Sequence, residues 1–308
     1  MDAKKIRTSI SRIAAWMGLL TCSLIVRLTP PRYVYSLGRG LGALGYRLVS
    51  RQRKIAIDSL AIAFGAEKSD LQRQQIAKAC FETMTKSGIE LLYLMDKPGL
   101  LKQRVKFKGK SHLDAALAKG TGVILVSAHF GNFPLLLARL SLDGYVAGGI
   151  MRTMRDARTE KIFEAKRKRY KIKTIYSQPR KVCVDTTIRS LRNNEIVFIP
   201  IDQNFGTGGI FVQFFGQKAA TATGPVILAQ RTGASLIPCF IIRQPDDTHT
   251  IVFEPEVDVP QSRSEHDTVA ATIQKLTTII ESYIRRYPAE WGWFHRRWKS
   301  KPQQQQLL

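Results

Sequence analysis

Residues 122–129, with the sequence GVILVSAH, are the stretch from which the fold class follows. A glycine precedes four apolar residues, three of them β-branched, and this short run predicts a strand. Strands that are apolar on both faces are typical of parallel sheets, because helices cover both faces of such sheets. The strand runs into His129, Gly131 and Asn132, so polar side chains begin where the strand ends.

Downstream of this strand, segments with the strand pattern alternate with segments of helical length. The predicted strands are residues 145–151, 172–176, 195–202, 235–243 and 248–255, and the predicted helices are residues 156–170, 181–193, 224–234 and 267–286. This alternation favours an α/β fold. We expect a mixed, mostly parallel central sheet flanked by helices, in a core of residues 105–308 that ends in a basic aromatic tail.

Upstream, residues 33–104 predict helices packed on this core, and residues 1–32 predict a membrane-anchoring helix. The anchor opens with four basic side chains: Lys4, Lys5, Arg7 and Arg12. The apolar run at residues 13–26 spans about 21 Å as a helix, less than the roughly 30 Å of a bilayer core. We therefore interpret it as a membrane-associated helix or helical hairpin in the cytoplasmic face, with a single-pass span, a cleaved signal peptide and a buried core helix as alternatives.

The chain is strongly basic, with 48 lysines and arginines against 24 aspartates and glutamates and a formal net charge of +24. Such a charge predicts anionic partners. Residues 151–192 contain fourteen basic and four acidic residues, but no nucleic-acid-binding signature is present. We expect an anionic membrane surface and no nucleic acid, and Trp291, Trp293 and Trp298, set among basic residues, favour the same interpretation.

The four cysteines are scattered, without a CxxC pair or neighbouring histidine pairs: Cys22, Cys80, Cys183 and Cys239. This spacing predicts neither a metal site nor a disulfide framework. Unpaired thiols are typical of a reducing compartment, so the sequence favours a location that faces the cytoplasm.

His129 is the first candidate for chemistry, since a neutral imidazole can take a proton from a hydroxyl that attacks a carbonyl. Gly131 would let the backbone approach a ligand, and Asn132 would donate to a developing oxyanion. A single histidine after a strand is also a common structural residue, so both interpretations stay open. The other histidines are assigned elsewhere, with a surface position for His112, His249 and His266 and a packing or membrane-interface role for His295.

A second polar group follows the predicted strand at residues 195–202, which delivers Asp202 and Gln203 into a glycine-rich loop. Sites in open α/β sheets gather at the carboxyl ends of strands, where both Asp202 and His129 fall. The loop predicts either a lid over a ligand or an ordinary connection. A Walker A lysine and a GxSxG motif are both missing, which argues against nucleotide binding and against a covalent serine intermediate.

Together, several motifs resemble those of the bacterial lipid A biosynthesis acyltransferases, the lauroyl and myristoyl transferases, which belong with the wider lysophospholipid acyltransferases. The motifs are SAHFGNF (127–133), the stretch that begins MRTMRD (151–156), IPIDQN (199–204), GIFVQFFGQKAATATGPVILAQRTGASLIPCF (209–240) and PAEWGWFHRRWK (288–299). The likeness covers most of the chain, from the apolar N-terminal helix to that tail.

The resemblance implies an enzyme that transfers an acyl group from an acyl carrier protein or coenzyme A thioester to a hydroxyl of a membrane lipid, with a lipid A precursor as the expected acceptor. It implies direct attack, without a metal or a cofactor. The implied catalytic residues are His129, Asp202 and Asn132, and the implied substrate-binding residues are Gly131, Arg152, Arg155, Gln203 and Phe215. Arg152 and Arg155 would contact phosphates. An apolar acyl groove is expected from Phe130, Phe133, Leu135, Phe214 and Phe215, for which core packing is the alternative role.

One position departs from the family pattern, which places an acidic residue five positions after the histidine. This chain has Pro134 there, and a proline side chain cannot accept or donate a hydrogen bond. Three explanations are open: another carboxylate replaces the acid, His129 works with a backbone or water partner, or the protein is inactive. Asp202 is the predicted substitute, and a carboxylate more than about 6 Å from the imidazole would exclude it.

The expected location is the inner, cytoplasmic membrane, with the catalytic domain facing the cytoplasm. Lysophospholipids and other glycolipids are the alternative acceptors. A catalytically degenerate protein that binds lipid at the membrane surface is the alternative to an enzyme.

Overall fold

The computed structural model describes residues 3–259 and 265–302. Its strands are β1 (Val105–Lys108), β2 (Val123–Ser127), β3 (Ala147–Met151), β4 (Lys173–Tyr176), β5 (Ile196–Pro200), β6 (Ile210–Phe214), β7 (Gln217–Thr221), β8 (Ser235–Arg243) and β9 (His249–Phe253). Its helices are α1 (Ala3–Leu28), α2 (Val34–Leu48), α3 (Ser50–Phe64), α4 (Asp70–Tyr93), α5 (Pro98–Arg104), α6 (Lys110–Leu117), α7 (Phe133–Leu142), α8 (Ala157–Arg169), α9 (Arg180–Arg192), α10 (Gly224–Thr232) and α11 (Glu265–Arg286).

In these residues a seven-stranded sheet has the order β1-β9-β8-β2-β5-β3-β4. Strand β2 lies in its middle and pairs in parallel with β5 and with β8. The β3–β5, β3–β4 and β1–β9 pairs are also parallel, whereas β8 and β9 are antiparallel. Ser127 is opposite Pro200 in the β2–β5 pair, so both strands end at the same edge. The predicted mixed, mostly parallel sheet flanked by helices is confirmed.

All five residues of β2 are buried, because helices cover both faces of the sheet. Ile124 and Val126 belong to one core with residues of α3, α10 and α11. Val123 and Leu125 belong to a second core with residues of α5, α6 and α7. Close packing on both faces makes β2 a rigid support for the residues that follow it.

The hairpin of β6 and β7 was not predicted from the sequence, which indicated only a glycine-rich loop and an aromatic stretch. Its two turn residues, Phe215 and Gly216, have φ values of 52° and 67°, the backbone geometry of a tight two-residue hairpin turn. The backbone N–H of Phe215 donates to Oε2 of Glu281 on α11 at 2.6 Å. This segment is therefore a hairpin attached to α11, and residues 201–209 form a connection that contains a short 3-10 helix at Gly206–Gly208.

Helix α2 packs closely on α4 because two glycines, Gly38 and Gly42, face it. A Cβ on Gly42 would lie 2.5 Å from Cα of Glu82 in α4. The close approach fixes α4, which carries Glu90 into the interior.

Helix α1 exposes an apolar stripe at Ile13, Met17, Leu20, Leu24 and Leu28, spaced three or four residues apart as on one helical face. Its segment Ser11–Leu28 is long and apolar enough to cross a membrane, by length and composition. Only 6% of that segment is buried, so the interpretation as a core helix is wrong. Three of the four basic residues at the start of the predicted anchor lie among residues 1–10, whose side chains are outside the described part of the chain.

Candidate active site

Two polar side chains meet at the carboxyl edge of the sheet, where the neighbouring strands β2 and β5 end. His129 lies two residues after β2, and Asp202 lies two residues after β5. Nδ1 of His129 is 2.8 Å from Oδ1 of Asp202. The predicted contact is therefore confirmed, and the parallel pairing of β2 with β5 is its cause.

The carboxylate of Asp202 is buried, and both of its oxygens have partners. Oδ2 accepts a hydrogen bond from Nε1 of Trp291 at 2.7 Å. Burial raises the pKa of this carboxyl, but His129 and the Trp291 indole lower the pKa by more, so it lies below its ordinary value. Asp202 is thus held as an anion beside the imidazole.

The imidazole of His129 is held on one side and open on another. Its side chain is 36% exposed, and the ring of Phe133 contacts it edge-on, with centroids 5.6 Å apart. Burial lowers the pKa of His129, but the charge and hydrogen bond of Asp202 raise it by more, so the net shift is upward. An ionised carboxylate only accepts hydrogen bonds, so the proton lies on Nδ1 and Nε2 carries the free lone pair.

Pro134 lies in the first turn of α7, which begins at Phe133. The first N–H groups of a helix have no partner within it, so a residue that lacks an N–H is well suited to this position. The next N–H, that of Leu135, donates to the carbonyl of Asn132 at 2.9 Å. Pro134 therefore shapes the turn after His129, while the carboxylate comes from another strand.

Asn132 is buried and held by protein groups. Its Nδ2 donates to the carbonyl of Ser87 at 3.1 Å and to Oε2 of Glu90 at 2.8 Å. An amide nitrogen carries two hydrogens, and both are used by these bonds. The expectation that Asn132 donates to an oxyanion is corrected accordingly: the amide fixes the turn that follows His129.

Glu90 is the centre of a buried polar network under this turn. Its carboxylate accepts two bonds from the guanidinium of Arg243, at 2.7 and 2.9 Å, and its Oε1 lies 2.9 Å from Nε2 of His249. Burial raises the pKa of Glu90, but His249 and Arg243 lower it to about 2. His249 is fully buried, so the surface position expected for it is wrong. The network ties α4, β8 and β9 to the amide of Asn132.

Gly131 has a φ of +57°, and its backbone lies against the carbonyl of Ile241 in β8. A Cβ at this position would lie 2.0 Å from that oxygen. The N–H of Gly131 donates to the carbonyl of Glu290 at 2.8 Å. The backbone of Gly131 therefore lies close to β8 and the C-terminal tail, and its contact with substrate stays a prediction.

We expect Gly131→Ala to destabilise the fold by more than about 2 kcal/mol, since it adds a backbone clash to the strain of positive φ. The measurement is thermal unfolding followed by circular dichroism. Gly144→Ala is the matched control, because Gly144 has a φ of +87° but nothing within 4 Å of an added Cβ. Equal losses in the two variants would show that the contact with Ile241 has no effect.

Three of the predicted substrate-binding side chains are exposed at this edge of the sheet: Arg152, Arg155 and Gln203. Arg152 directly follows β3, the neighbour of β5, and Gln203 directly follows Asp202. The carbonyl of Gln203 accepts a bond from the guanidinium of Arg297 at 3.1 Å. The three side chains are accessible near the histidine–aspartate pair, and their contact with substrate stays a prediction.

Phe215 is 4% exposed and packs in an aromatic cluster. Its ring contacts Phe64, Phe214 and Trp293. Three other candidates for the acyl groove are also buried in the core: Phe130, Leu135 and Phe214. Phe215 therefore packs in the core and its contact with substrate stays a prediction, whereas Phe133 is half-buried beside His129.

The C-terminal tail is a part of the site that the sequence did not assign. Trp291 pairs with Phe130 in an antiparallel bridge, and the N–H of Gly292 donates to the carbonyl of His129 at 3.3 Å. Trp291, Trp293 and Trp298 are 1%, 0% and 6% exposed, so their interpretation as membrane-interface residues is wrong. In the sequence, the tail and His129 were connected only as motifs of the same family. No local pattern predicts a contact between residues so far apart in the chain.

A mostly parallel α/β sheet with a histidine–aspartate pair at its carboxyl edge is an arrangement typical of enzymes that use an imidazole as a general base. The sequence profile of the family described as bacterial lipid A biosynthesis acyltransferase matches residues 1–300. The chain belongs to this family and is an acyltransferase.

Similar proteins include the lipid A biosynthesis lauroyltransferase of Escherichia coli K12, 27% identical over 293 residues that cover 94% of this chain and 92% of that protein. The lipid A biosynthesis palmitoleoyltransferase of the same organism is 25% identical over 294 residues, 93% of this chain and 91% of that protein. The phosphatidylinositol mannoside acyltransferase of Mycobacterium tuberculosis CDC 1551 is 26% identical over 191 residues, 62% of this chain and 58% of that protein.

Proposed function

We propose that this enzyme transfers a fatty acyl group from an acyl carrier protein or coenzyme A thioester to a hydroxyl of a lipid A precursor. The contact of 2.8 Å between His129 and Asp202 carries the proposal, because it supplies the oriented base that a family member with Pro134 otherwise lacks. The named lipid A acyltransferases match this chain over more than nine tenths of its length, which favours a lipid A precursor as acceptor.

In the proposed mechanism, Nε2 of His129 takes the proton of the acceptor hydroxyl as its oxygen attacks the thioester carbonyl. The C–O bond forms, the carbonyl π electrons move to oxygen, and the tetrahedral intermediate collapses with cleavage of the C–S bond. The thiolate then receives the proton from the imidazolium. Asp202 holds the imidazole in the required tautomer and stabilises its charged form, as a triad carboxylate does.

Substrate binding is proposed for the exposed side chains at the same edge. Arg152 and Arg155 carry charge that suits phosphates of the donor or the acceptor, and Gln203 offers an amide beside Asp202. The Phe133 ring stacks on Phe198, with centroids 5.5 Å apart, and borders His129. It is the half-buried aromatic group against which we place the start of the acyl chain.

The second candidate function is transfer to another glycolipid or a lysophospholipid, favoured by the match to a phosphatidylinositol mannoside acyltransferase. A degenerate protein that only binds lipid is less well supported. Lipid binding alone does not require an anionic, fully partnered Asp202 beside a partly exposed imidazole.

The proposal is tested by incubating the purified enzyme with acyl carrier protein thioesters or coenzyme A thioesters, in separate reactions, together with lipids extracted from its own membrane. Mass spectrometry then identifies the lipid that gains an acyl group. A gain on a lipid A precursor is the expected result. A gain on another lipid favours the second candidate, and no gain with either donor contradicts acyl transfer.

We propose that the enzyme is bound to the cytoplasmic face of the inner membrane through residues 1–32, with α1 in the plane of that face. The exposed stripe of α1 provides an apolar surface, while its opposite side packs on α4, where Val26 is fully buried. The guanidinium of Arg158, at the start of α8, lies 4.8 Å above the ring of Trp16. This contact joins α1 to the segment that carries Arg152 and Arg155, so membrane lipid would approach the site from this side.

We expect Leu24→Glu to lower the partition of the enzyme into anionic vesicles by at least about tenfold, since a buried leucine contributes about 1.5–3 kcal/mol. Flotation with phosphatidylglycerol-containing vesicles measures the effect. Val182→Glu on α9 is the control, because Val182 and Leu24 are both 57% exposed. Equal effects of the two substitutions would argue against α1 as the membrane-binding element.

A further inference from the structure

The site still lacks a donor for the oxyanion that forms on the thioester oxygen. Two donors near His129 are committed to the protein: both hydrogens of the Asn132 amide, and the N–H of Gly131, which bonds the carbonyl of Glu290. Preorganised donors to an oxyanion commonly contribute about 10²- to 10³-fold to the rate, so another group is expected to fill this role.

The C-terminal tail brings His295 to the site. The N–H of Gly292 bonds the carbonyl of His129, and the N–H of His295 bonds the carbonyl of Gly292 at 3.4 Å. On either side of His295, Trp291 donates to the Asp202 carboxylate and Arg297 donates to the Gln203 carbonyl. The tail is therefore attached to both residues of the pair by Trp291 and Gly292, and His295 lies between these attachments and the bond from Arg297 to Gln203.

The ring of His295 is half-buried. Its Nδ1 is buried and has no hydrogen-bond partner among the described residues. A buried N–H without an acceptor is rarer in proteins than a buried acceptor without a donor. The proton of the neutral ring is accordingly placed on Nε2, the other nitrogen, where it is available to a ligand.

Charge also favours a neutral ring. Burial lowers the pKa of His295, Asp202 raises it, and His129 and Arg297 lower it, with a net downward shift. A neutral imidazole has one N–H group, with which it can polarise a carbonyl without gaining or losing a proton. His129 has the opposite shift, so the two histidines are suited to different tasks.

We propose that His295 is a catalytic residue that donates the Nε2–H hydrogen bond to the carbonyl oxygen of the bound acyl thioester. The inference rests on the proposed acyl transfer. As the acceptor oxygen attacks, the carbonyl π electrons move to the oxygen, and the bond from His295 strengthens with that negative charge. No proton is transferred to or from His295, which returns to its initial state when the C–S bond breaks.

The kinetic test compares His295→Ala and His295→Gln with the wild-type enzyme. We expect His295→Ala to lower kcat by about 10²- to 10³-fold with little change in KM, because the bond strengthens in the transition state. His295→Gln keeps a side-chain N–H and should recover at least about tenfold of this loss. Arg296→Ala, which removes an exposed neighbour, is the control and should retain wild-type activity.

A spectroscopic test separates hydrogen bonding from a structural role. An acyl thioester labelled with ¹³C at its carbonyl is bound to the His129→Ala variant, and its carbonyl stretch is measured by isotope-edited infrared spectroscopy. The stretch should lie at higher wavenumber in His129→Ala/His295→Ala, which lacks the donor. An unchanged stretch, or a kcat of His295→Ala within about threefold of wild type, would overturn the inference. Wild-type enzyme that transfers no acyl group would instead contradict the proposed function.

Discussion

His129→Ala should lower the rate of acyl transfer by about 10²- to 10⁴-fold, the range that general base help contributes. The variant loses the nitrogen that takes the proton of the attacking hydroxyl, whereas the fold keeps its support. The His129 side chain is 36% exposed, and the bridge between Phe130 and Trp291 uses backbone groups. The measurement is kcat with the lipid acceptor identified by mass spectrometry, and vesicle flotation should give the wild-type result.

His112→Ala is the matched control, since His112 is an exposed histidine on α6 and should leave kcat unchanged. Activity of His129→Ala within about fivefold of wild type would refute the assignment of the base. A loss of activity accompanied by a lower unfolding temperature would assign His129 to the stability of the fold instead.

Asp202→Asn should lower kcat by about 10²- to 10⁴-fold, although the replacement has nearly the same shape. An asparagine can still accept the indole N–H of Trp291 through its oxygen. Its nitrogen would then donate to Nδ1 of His129, which forces the proton of the imidazole onto Nε2 and removes the base. The effect is measured as kcat in the same assay, and Asp185→Asn on the exposed face of α9 is the control.

The pH profile provides an independent check on Asp202. Activity requires neutral His129, so it falls as the pH falls through the pKa of that imidazole. Asp202 raises this pKa, and its neutralisation should move the acidic limb of the profile of kcat/KM to lower pH. A residual activity whose acidic limb stays at the wild-type pH would show that Asp202 is not the partner of His129.

The positions of His129 and Asp202 explain how this chain can have a proline at position 134. A residue in the first turn of a helix and a residue after a neighbouring strand can both approach the same imidazole. In this chain the helix position serves the backbone turn, and the carboxylate comes from β5. Under the proposed mechanism, the element that supplies the acid is therefore β5 and not α7.

Much of the sheet was predictable, because β2, β3, β4, β5, β8 and β9 each have a local apolar pattern of their own. Strand β1 and the hairpin of β6 and β7 were not predicted. The four-residue β1 depends on pairing with β9, which is distant in the sequence, and the hairpin depends on a turn in which Phe215 adopts positive φ. Local patterns carry no information on either.

The site also contains some residues whose positions could be predicted from the sequence and others whose partners could not. The sequence placed His129 and Asp202 at strand ends, and their contact required only that β2 and β5 be neighbours. The partners of Asn132, Gly131 and His249 are buried groups from other elements: Glu90, Ile241 and Glu290. Residue type alone suggested ligand contacts for the first two and a surface position for the third, whereas packing gives each of them a partner inside the protein.

By itself, therefore, the sequence determined the alternation of strands and helices, the apolar N-terminal helix and the residue types that remove a proton, since all of these are local properties of the chain. Only the tertiary structure decided which carboxylate contacts His129 in a chain that has Pro134 at the position of the family's acid. It also decided that the tail with Trp291 and His295 joins the site. Such contacts depend on strand order and on packing between distant segments, and these minimise the free energy of the whole chain rather than of any one stretch.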